Sequence, residues 1–250
     1  MRVAICQPTY LPWLGYFDLI DQVDNFVLLD TVQFERQSWQ QRNRIKTPAG
    51  LQWLTVPVRF RGKLGQRICD VEVRTTDFVG KHIRAIELNY SRSRHFNRFF
   101  PELSSILRSA QPGGRLSDLN VRLLEWFVAI LGIHTPVVLA SSLHEEAKRT
   151  ELLANICRHL GASEYLSPIG SAEYLLCEIS VMTDAGIDTH FQYYVHPEYE
   201  QRFPPFVPYA SVVDLMFNEG DRAMEIIRSG RRTPMTPAHV AANMAEAKQA

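Results

Sequence analysis

Short apolar runs alternate with amphipathic segments along this chain, and this alternation constrains the possible fold most strongly. The first apolar run, Val3 to Cys6, ends at Gln7-Pro8. Residues 13–23 then carry apolar side chains at near-helical spacing, and residues 26–29 form a second, continuous apolar run. A continuous apolar run is typical of a strand that is covered on both faces. The N-terminal segment therefore predicts a right-handed strand–helix–strand unit.

The same alternation returns in the second half of the chain. A wide apolar stripe over residues 116–131, ended by Gly132, predicts a long helix. Strands are then predicted at residues 136–140, 164–167 and 189–194, with helices at residues 145–160 and 172–185. This order predicts an α/β fold with a mostly parallel sheet flanked by helices.

Between these two parts, the apolar period changes toward two. From Ser38 to Val73, alternating segments are separated by turn sequences at Pro48-Ala49-Gly50 and at Gly62 to Gly65. The pattern predicts an antiparallel hairpin or small meander, inserted as a β subdomain at about residues 36–75, with a helix at residues 78–88 after it.

The domain organisation follows from these segments. No repeat or long low-complexity linker divides the chain, so we expect one α/β domain over residues 1–230. The end of the chain is rich in Ala, Pro, Met and polar residues without a strong apolar stripe. We therefore expect residues 231–250 to form a flexible C-terminal tail.

The charge balance excludes several function classes. Lys and Arg number 27 and Asp and Glu number 27, which gives a formal net charge of zero. Broad binding to nucleic acid or to an anionic membrane needs a surface of one sign. No apolar run has the length of a signal peptide or a membrane span, and the four cysteines show neither a CxxC pair nor a zinc-ligand pattern. We expect a cytoplasmic protein without membrane insertion, structural metal or disulfides, and the sequence leaves its oligomeric state open.

Polar residues follow several of the predicted strands. In parallel sheets, ligands collect at the carboxyl ends of the strands. This rule nominates the loops at residues 7–15, 30–34, 141–142 and 167–171. In the last of these loops, Ser167, Gly170 and Ser171 lead directly into a predicted helix, whose N-terminus is suited to an oxyanion. The alternative is an N-cap by Ser171 or a tight turn.

The segment RQSWQQRNRIK, residues 36–46, crowds cations and amides around Trp39. Guanidinium groups match phosphate or carboxylate oxygens in a bidentate manner, so Arg42 and Arg44 indicate a site for an anionic ligand. Gln40, Gln41 and Asn43 add hydrogen-bond donors. The alternative is a solvated hairpin with alternating polar residues.

Three residues are candidates for catalysis. His196 follows the last predicted strand, and its ordinary pKa suits a general acid or base, although a structural histidine is equally compatible with the pattern. Asp30 ends an apolar strand and is suited to a base, a metal contact or a ribose contact. Cys6 is suited to a nucleophile if a neighbour lowers its pKa, but a cysteine at a strand end is more often a small buried apolar residue.

Trp13-Leu14-Gly15-Tyr16 opens the helix after the first strand. This position resembles the place where nucleotidylyltransferases of the HUP superfamily carry a His-x-Gly-His sequence. Here both histidines are replaced. The resemblance implies a HUP-like sheet that retains nucleotide binding without the two histidines that stabilise transferring phosphates.

A broader resemblance covers the chain from Arg2 to about Gly220. It rests on AICQPTYLPWLGYFD, LLDTVQF, SWQQRNRIKT with QWLTVPV, LGASEYLSPIGSAEYL, YYVHPEYEQ and SVVDLMFNEG. Together these segments resemble the WbqC-like family. Two positions depart from that pattern, because Cys6 stands where histidine is usual and Gln41 where asparagine is usual.

The resemblance implies a bacterial enzyme of surface-polysaccharide (O-antigen) or small-molecule biosynthesis. We expect a transferase that places an acyl or aminoacyl group on a nucleotide-linked amino sugar or a similar anionic substrate. The cofactor is left open between ATP with Mg and an acyl or aminoacyl donor. An ATP-dependent nucleotidylyltransferase or ligase and a non-catalytic binding subunit are the alternatives.

Roles for individual residues follow from this expectation. Arg42, Arg44 and Lys46 would neutralise phosphates, and Gln7, Gln33 and Asn43 would orient the substrate. Tyr10 and Trp39 would stack on a base or sugar, and His196 or Asp30 would move the proton. The expected substrate-binding set is completed by Trp13, Ser167, Gly170, Ser171 and Tyr199.

Overall fold

The computed structural model describes residues 1–60, 62 and 65–247. The strands in this part of the chain are β1 (Arg2–Cys6), β2 (Asn25–Leu28), β3 (Arg42–Thr47), β4 (Gly50–Thr55), β5 (Val137–Leu139), β6 (Glu164–Ser167) and β7 (Asp188–Phe191). The helices are α1 (Leu14–Asp21), α2 (Asp77–Tyr90), α3 (Phe96–Arg108), α4 (Leu116–Ile130), α5 (Arg149–His159), α6 (Ala172–Cys177), α7 (Ile179–Asp184), α8 (Val212–Glu219), α9 (Ala223–Ser229) and α10 (Pro237–Ala247).

The main sheet of the described chain is parallel and has five strands in the order β5-β2-β1-β6-β7. The chain first builds outward from β1 through β2 to β5, and it then returns to place β6 and β7 on the other side of β1. The strand order thus reverses between β1 and β6. In open parallel sheets this reversal creates a crevice at the carboxyl ends of the two strands. The predicted α/β fold is confirmed.

Helices cover both faces of the main sheet. Because successive side chains of a strand point to opposite faces, β1 contributes to two cores. Ala4 belongs to the core that includes buried residues of α1, α2, α3, α4, α8 and α9, whereas Val3 and Ile5 belong to the core that includes buried residues of α5, α6 and α7. Burial on both faces explains why β1 and β2 are almost continuously apolar in sequence.

The predicted insertion is confirmed as a separate antiparallel pair, β3 and β4. Its hairpin alternative is observed rather than the meander. The segment after it forms a 3-10 turn, Ile68–Asp70, because the Ile68 and Cys69 amides donate to the carbonyls of Val32 and Asp30 after β2. Residues 61, 63 and 64, which include part of the predicted turn at residues 62–65, lie outside the described residues.

The predicted helix at residues 172–185 is divided into α6 and α7. Glu178 separates them, with a backbone conformation outside the helical region. Its carboxylate accepts a hydrogen bond from Thr150 Oγ1 at 2.6 Å and pairs with Arg149 at 2.7 Å. These contacts bind the junction to the N-terminal end of α5.

The C-terminal segment, for which we predict a flexible tail, makes several contacts with the domain. Arg231 and Met235 form bridges to Tyr194 and Phe191, beside the edge strand β7, and Val240 of α10 is buried. The Arg231 guanidinium pairs with Asp18 and Asp21 of α1. Arg231, Met235 and Val240 are thereby held against the domain, while residues 248–250 lie outside the described residues.

Among the described residues, no helix combines the length and apolar character that a bilayer span requires.

Candidate functional site

A cavity of about 740 Å³ opens at the carboxyl ends of β1 and β6, where the strand order reverses. Cys6 and Gln7 follow β1, Pro168 to Ser171 follow β6, and Gln192 follows β7; all of them line the cavity. Its volume lies in the range that holds small-molecule ligands. The fold therefore places this cavity where a doubly wound sheet offers a ligand site.

The loop before the hairpin forms the opposite wall. Its backbone is tied to the rest of the domain, because the Tyr10 amide donates to Trp39 O at 2.9 Å. Asn120 Nδ2 donates to Gln40 O at 2.8 Å, and Asn43 Nδ2 donates to Leu11 O at 2.7 Å. Trp39, Gln40 and Asn43 consequently face the cavity from a fixed backbone.

The amides expected to hold a ligand mainly hold this loop. Gln40 Oε1 accepts a hydrogen bond from the Glu35 amide at 3.1 Å, and Gln40 Nε2 donates to Gln7 Oε1 at 2.8 Å. Gln41 Oε1 accepts from the Gln37 amide at 3.3 Å, and its Nε2 donates to Val56 O at 3.2 Å. Buried polar groups need such partners, so these two glutamines fix the shape of the wall.

Among the described residues that line the cavity, Arg44 is the only arginine or lysine. Its guanidinium carbon lies 5.4 Å from the Trp39 ring and 5.2 Å from the Trp53 ring. Nη2 reaches Tyr209 O at 3.5 Å, and Nε is buried without a hydrogen-bond partner among the described residues. Arg44 forms no ion pair with any described residue. Its Nη1 makes no hydrogen bond with a described residue, so the two hydrogens of this atom are available to an anionic ligand.

The other two predicted cations do not reach the cavity. The Arg42 guanidinium stacks over Trp53 at 4.2 Å. Lys46 is buried, and its Nζ donates to Pro205 O at 2.6 Å. Only Arg44 of this predicted trio lines the cavity.

Cys6 lies at the cavity wall and is partly buried. Burial raises the pKa of its thiol to about 12. An unperturbed thiol has a pKa of about 8.5, so Cys6 holds on the order of a thousandfold less thiolate at neutral pH. This environment disfavours a nucleophilic role, because the thiolate is the reactive form.

We expect Cys6 to resist alkylation by iodoacetamide at pH 7.5, while the exposed Cys177 is modified. Peptide mass spectrometry over a time course would give both rates, and Cys6→Ser would identify the Cys6 peptide. Modification of Cys6 as fast as Cys177 would show that its thiol is activated.

His196 does not line the cavity, but it packs against two residues that do, Trp13 and Tyr209. The Trp13 ring covers Gly15 so closely that an added Cβ there would clash with the indole. The same ring stacks on His196, with the two ring centroids 6.2 Å apart. His196 Nδ1 donates to Pro197 O at 2.9 Å, and its Nε2 is buried without a partner among the described residues. Burial lowers the pKa of His196, so the neutral ring carries a free lone pair on Nε2.

Asp30 is used within the fold. Its carboxylate accepts hydrogen bonds from the Ser141 amide at 2.9 Å and the Ser141 hydroxyl at 2.7 Å. It is buried and does not line the cavity. These contacts fix the 3-10 turn Ala140–Ser142 at the end of β5, which is a structural use of the carboxylate.

The serines after β6 form a tight turn. The hydroxyls of Ser167 and Ser171 share a hydrogen bond, and Ser171 Oγ donates to Pro168 O at 2.8 Å. Ser171 makes no side-chain cap to α6. At Gly170 the space is open, because no heavy atom lies within 4 Å of an added Cβ. Gly170 and Ser171 line the cavity, whereas Ser167 does not.

Two predicted tyrosines belong to buried polar clusters instead of the cavity. The Tyr10 hydroxyl shares a hydrogen bond with His82 Nδ1 at 2.8 Å. The Tyr199 hydroxyl donates to Asp214 at 2.7 Å, as does the Tyr90 hydroxyl at 2.7 Å. Aromatic residues with satisfied polar atoms in the core are structural in this arrangement.

The structure thus brings together half of the residues predicted as a site. Those that line the cavity are Cys6, Gln7, Trp13, Trp39, Asn43, Arg44, Gly170 and Ser171. Those that lie elsewhere are Tyr10, Asp30, Gln33, Arg42, Lys46, Ser167, His196 and Tyr199.

Several further lining residues were missed from the sequence, among them Glu35, Ser38, Tyr174, Gln192 and Tyr209. Gln192 lies directly beyond β7, but the strand was predicted to continue to residue 194, so the strand-end rule pointed to His196 instead. Tyr209 belongs to an irregular segment before α8 and carries no comparable signal.

Comparison with known proteins agrees with the resemblance drawn from the sequence. The model of the WbqC-like protein family matches residues 7–226. The uncharacterized protein Rv1507c of Mycobacterium tuberculosis is 39% identical over 232 residues, which cover 92% of this chain and 99% of that protein. No solved structure matches the chain. Since both matches span most of its length, the chain belongs to the WbqC-like protein family.

Proposed function

We propose that this chain is a transferase that places an acyl or aminoacyl group on a nucleotide-linked amino sugar or a similar anionic substrate. The proposal rests on Arg44, a guanidinium with free donors and no ion pair to a described residue, at the rim of a small-molecule cavity. A free guanidinium is suited to the phosphates of such a substrate. We place the reaction in bacterial surface-polysaccharide or small-molecule biosynthesis, following the family resemblance.

The aromatic rim supports a substrate with a planar or ring-shaped part. Trp39 is 48% exposed and Tyr209 is 50% exposed, although both rings are large and apolar. Both line the cavity mouth beside Arg44. An aromatic face next to a guanidinium can stack on a base or sugar while the guanidinium contacts phosphate.

Transfer to an amine requires a base, because the attacking nitrogen must lose a proton. His196 remains the proposed base, since its neutral ring has a free lone pair on Nε2. His196 does not line the cavity but packs against Trp13 and Tyr209, which do, so the proposal requires these rings to rearrange when substrate binds. Cys6 is less suited because its thiol stays protonated, and Asp30 because it lies outside the cavity.

The experiment compares Arg44→Ala with Arg36→Ala. A thermal-shift screen against nucleotide sugars, ATP with and without Mg, and acyl or aminoacyl donors would first select the nucleotide sugar that stabilises the protein. We expect Arg44→Ala to weaken its binding in calorimetry by about tenfold or more, as the loss of a charged hydrogen bond costs about 1.5–3 kcal/mol.

Arg36 is a matched control, because it is a cation of the same loop that stacks over Phe60 and does not line the cavity. We expect its replacement to leave the affinity unchanged. Equal affinities for the wild type and Arg44→Ala would contradict the proposed site. Binding without turnover of any donor, together with a stable partner in pull-downs, would favour the non-catalytic binding subunit.

A second candidate is an ATP-dependent nucleotidylyltransferase or ligase. It is favoured by the strand order and by a cavity at the point of reversal, where doubly wound sheets bind nucleotides. Trp13 and Tyr16 occupy the positions of the histidine pair of HUP nucleotidylyltransferases, which is evidence against this candidate. A Mg-dependent thermal shift with ATP, accompanied by pyrophosphate release, would support it over the transferase.

A further inference from the structure

Gln7 has one possible side-chain orientation in the cavity wall. The Glu35 amide can only donate, so it fixes Gln40 with Oε1 toward it and Nε2 toward Gln7. Because Gln40 Nε2 can only donate, Gln7 must turn its Oε1 to Gln40. Gln7 Nε2 makes no hydrogen bond with a described residue. The cavity wall therefore offers a hydrogen-bond donor at this atom.

The side-chain amide of Gln192 is fixed with its Nε2 toward the protein, whereas that of Gln7 is fixed with its Oε1 toward the protein. Its Nε2 donates to Gly15 O at 2.9 Å and to Asp18 Oδ2 at 2.7 Å. A carbonyl oxygen can only accept, so this orientation holds whatever the protonation state of Asp18. The buried Asp18 is itself held by Arg231 Nε at 2.8 Å and Gln22 Nε2 at 2.7 Å. Gln192 Oε1 accepts no hydrogen bond from a described residue, so this lining residue offers an acceptor.

A donor and an acceptor of fixed character suit an amide, whose carbonyl only accepts and whose N–H only donates. A ligand hydroxyl can donate or accept by rotating, so its recognition would not require one fixed donor and one fixed acceptor. We propose that Gln7 and Gln192 bind the two polar atoms of the amide that the transfer forms; this inference rests on the proposed function. Gln7 Nε2 donates to the acyl oxygen, and Gln192 Oε1 accepts from the amino N–H.

The same contacts serve the reaction itself. The amine nitrogen of the substrate attacks the carbonyl carbon of an ester or thioester donor, and the new N–C bond forms as negative charge develops on the carbonyl oxygen. Collapse of this intermediate breaks the C–O or C–S bond, and the leaving group departs with the bonding electron pair. The proton lost by nitrogen passes to a base. Gln7 would stabilise the developing charge, and Gln192 would orient the amine toward the carbonyl carbon.

The test measures binding of UDP-N-acetylglucosamine and UDP-glucose by calorimetry. These probes share the nucleotide and differ in the acetamido group, so their affinity ratio isolates recognition of the amide. We expect UDP-N-acetylglucosamine to bind about fivefold or more tightly, the effect of one satisfied hydrogen bond. A smaller preference, with both probes bound, would overturn this inference and leave the proposed function standing.

Gln7→Glu supplies an isosteric variant. Its carboxylate still accepts from Gln40 Nε2 but has no donor for an acyl oxygen, so the preference should disappear. Gln111→Glu, at an exposed position outside the cavity lining, adds the same charge and should retain the preference. Melting temperatures of both variants check that they fold. Retention of the preference in Gln7→Glu would overturn the assignment of Gln7.

UMP and CMP test whether the two glutamines bind the nucleotide base instead of the amide. The two nucleotides exchange donor and acceptor on the base, so a preference for UMP without any acetamido preference would assign the glutamines to the base and overturn the amide proposal. Absence of binding by every nucleotide and nucleotide sugar would instead refute the proposed function on which the inference rests.

Discussion

Replacement of Asp214 by alanine is expected to lower the free energy of unfolding by about 3–5 kcal/mol. The carboxylate is fully buried and accepts hydrogen bonds from the hydroxyls of Tyr90 and Tyr199, each at 2.7 Å. Its removal leaves both buried hydroxyls without their acceptor, and each lost partner is costly in the core. The Tyr90 hydroxyl also accepts from the Lys46 amide at 2.8 Å, so the damage extends into β3.

Urea unfolding followed by circular dichroism at pH 7 would measure this change. Asp184→Ala is the matched control, because Asp184 is an exposed carboxylate at the end of α7, where a substitution should change stability by less than about 0.5 kcal/mol. Similar unfolding free energies for the two variants would show that the buried cluster does not stabilise the fold.

The second large effect concerns the pH dependence of stability through His82. Its ring is buried between Phe78 and Tyr10, and burial lowers its pKa from 6.5 to about 4. The His82 ring of the unfolded chain therefore becomes protonated near pH 6.5, whereas that of the folded chain becomes protonated only near pH 4. Above pH 6.5 the ring is neutral in both states, and its titration does not reduce the free energy of unfolding. As the pH falls from 6.5 toward 4, protonation of the unfolded chain lowers the free energy of unfolding. The shift corresponds to about 3 kcal/mol.

The measurement is the unfolding free energy in urea at pH 7 and at pH 4 for the wild type and His82→Gln. We expect the loss of stability on acidification to be smaller in His82→Gln by about 3 kcal/mol, because the variant lacks this titration while all other groups remain. His134→Gln, at an exposed position, should behave like the wild type. Equal pH dependence in all three proteins would refute the assignment to His82.

Much of the fold was predictable because the strands of the parallel sheet are buried on both faces. That burial produces continuous apolar runs such as residues 26–29, which the sequence displays directly. The C-terminal segment was not predictable in the same way. Arg231 is anchored to Asp18, 213 positions earlier in the chain, and neither residue has a local pattern that indicates the pairing.

The candidate site was predictable to the extent that it follows strand ends. Gln7 and Ser171 were found by that rule, because the sheet brings the carboxyl ends of its strands together. The cations of the basic segment were not separable by sequence. Arg44 and Lys46 are two positions apart on β3. Arg44 lines the cavity, whereas Lys46 donates to the carbonyl oxygen of Pro205, which lies in a distant loop. Whether such a cation is free for a ligand depends on which groups the tertiary structure places beside it.

The anchoring of Arg231 connects the C-terminal segment to the wall of the cavity. The family model matches residues 7–226, so Arg231 lies beyond the matched region, although it supports Asp18 and, through Asp18, the orientation of Gln192. The polar group beneath one wall of the cavity is thereby shared between the matched region and the segment that follows it. A change at position 231 would therefore act on the cavity wall through Asp18 and Gln192, without replacing a residue that lines the cavity.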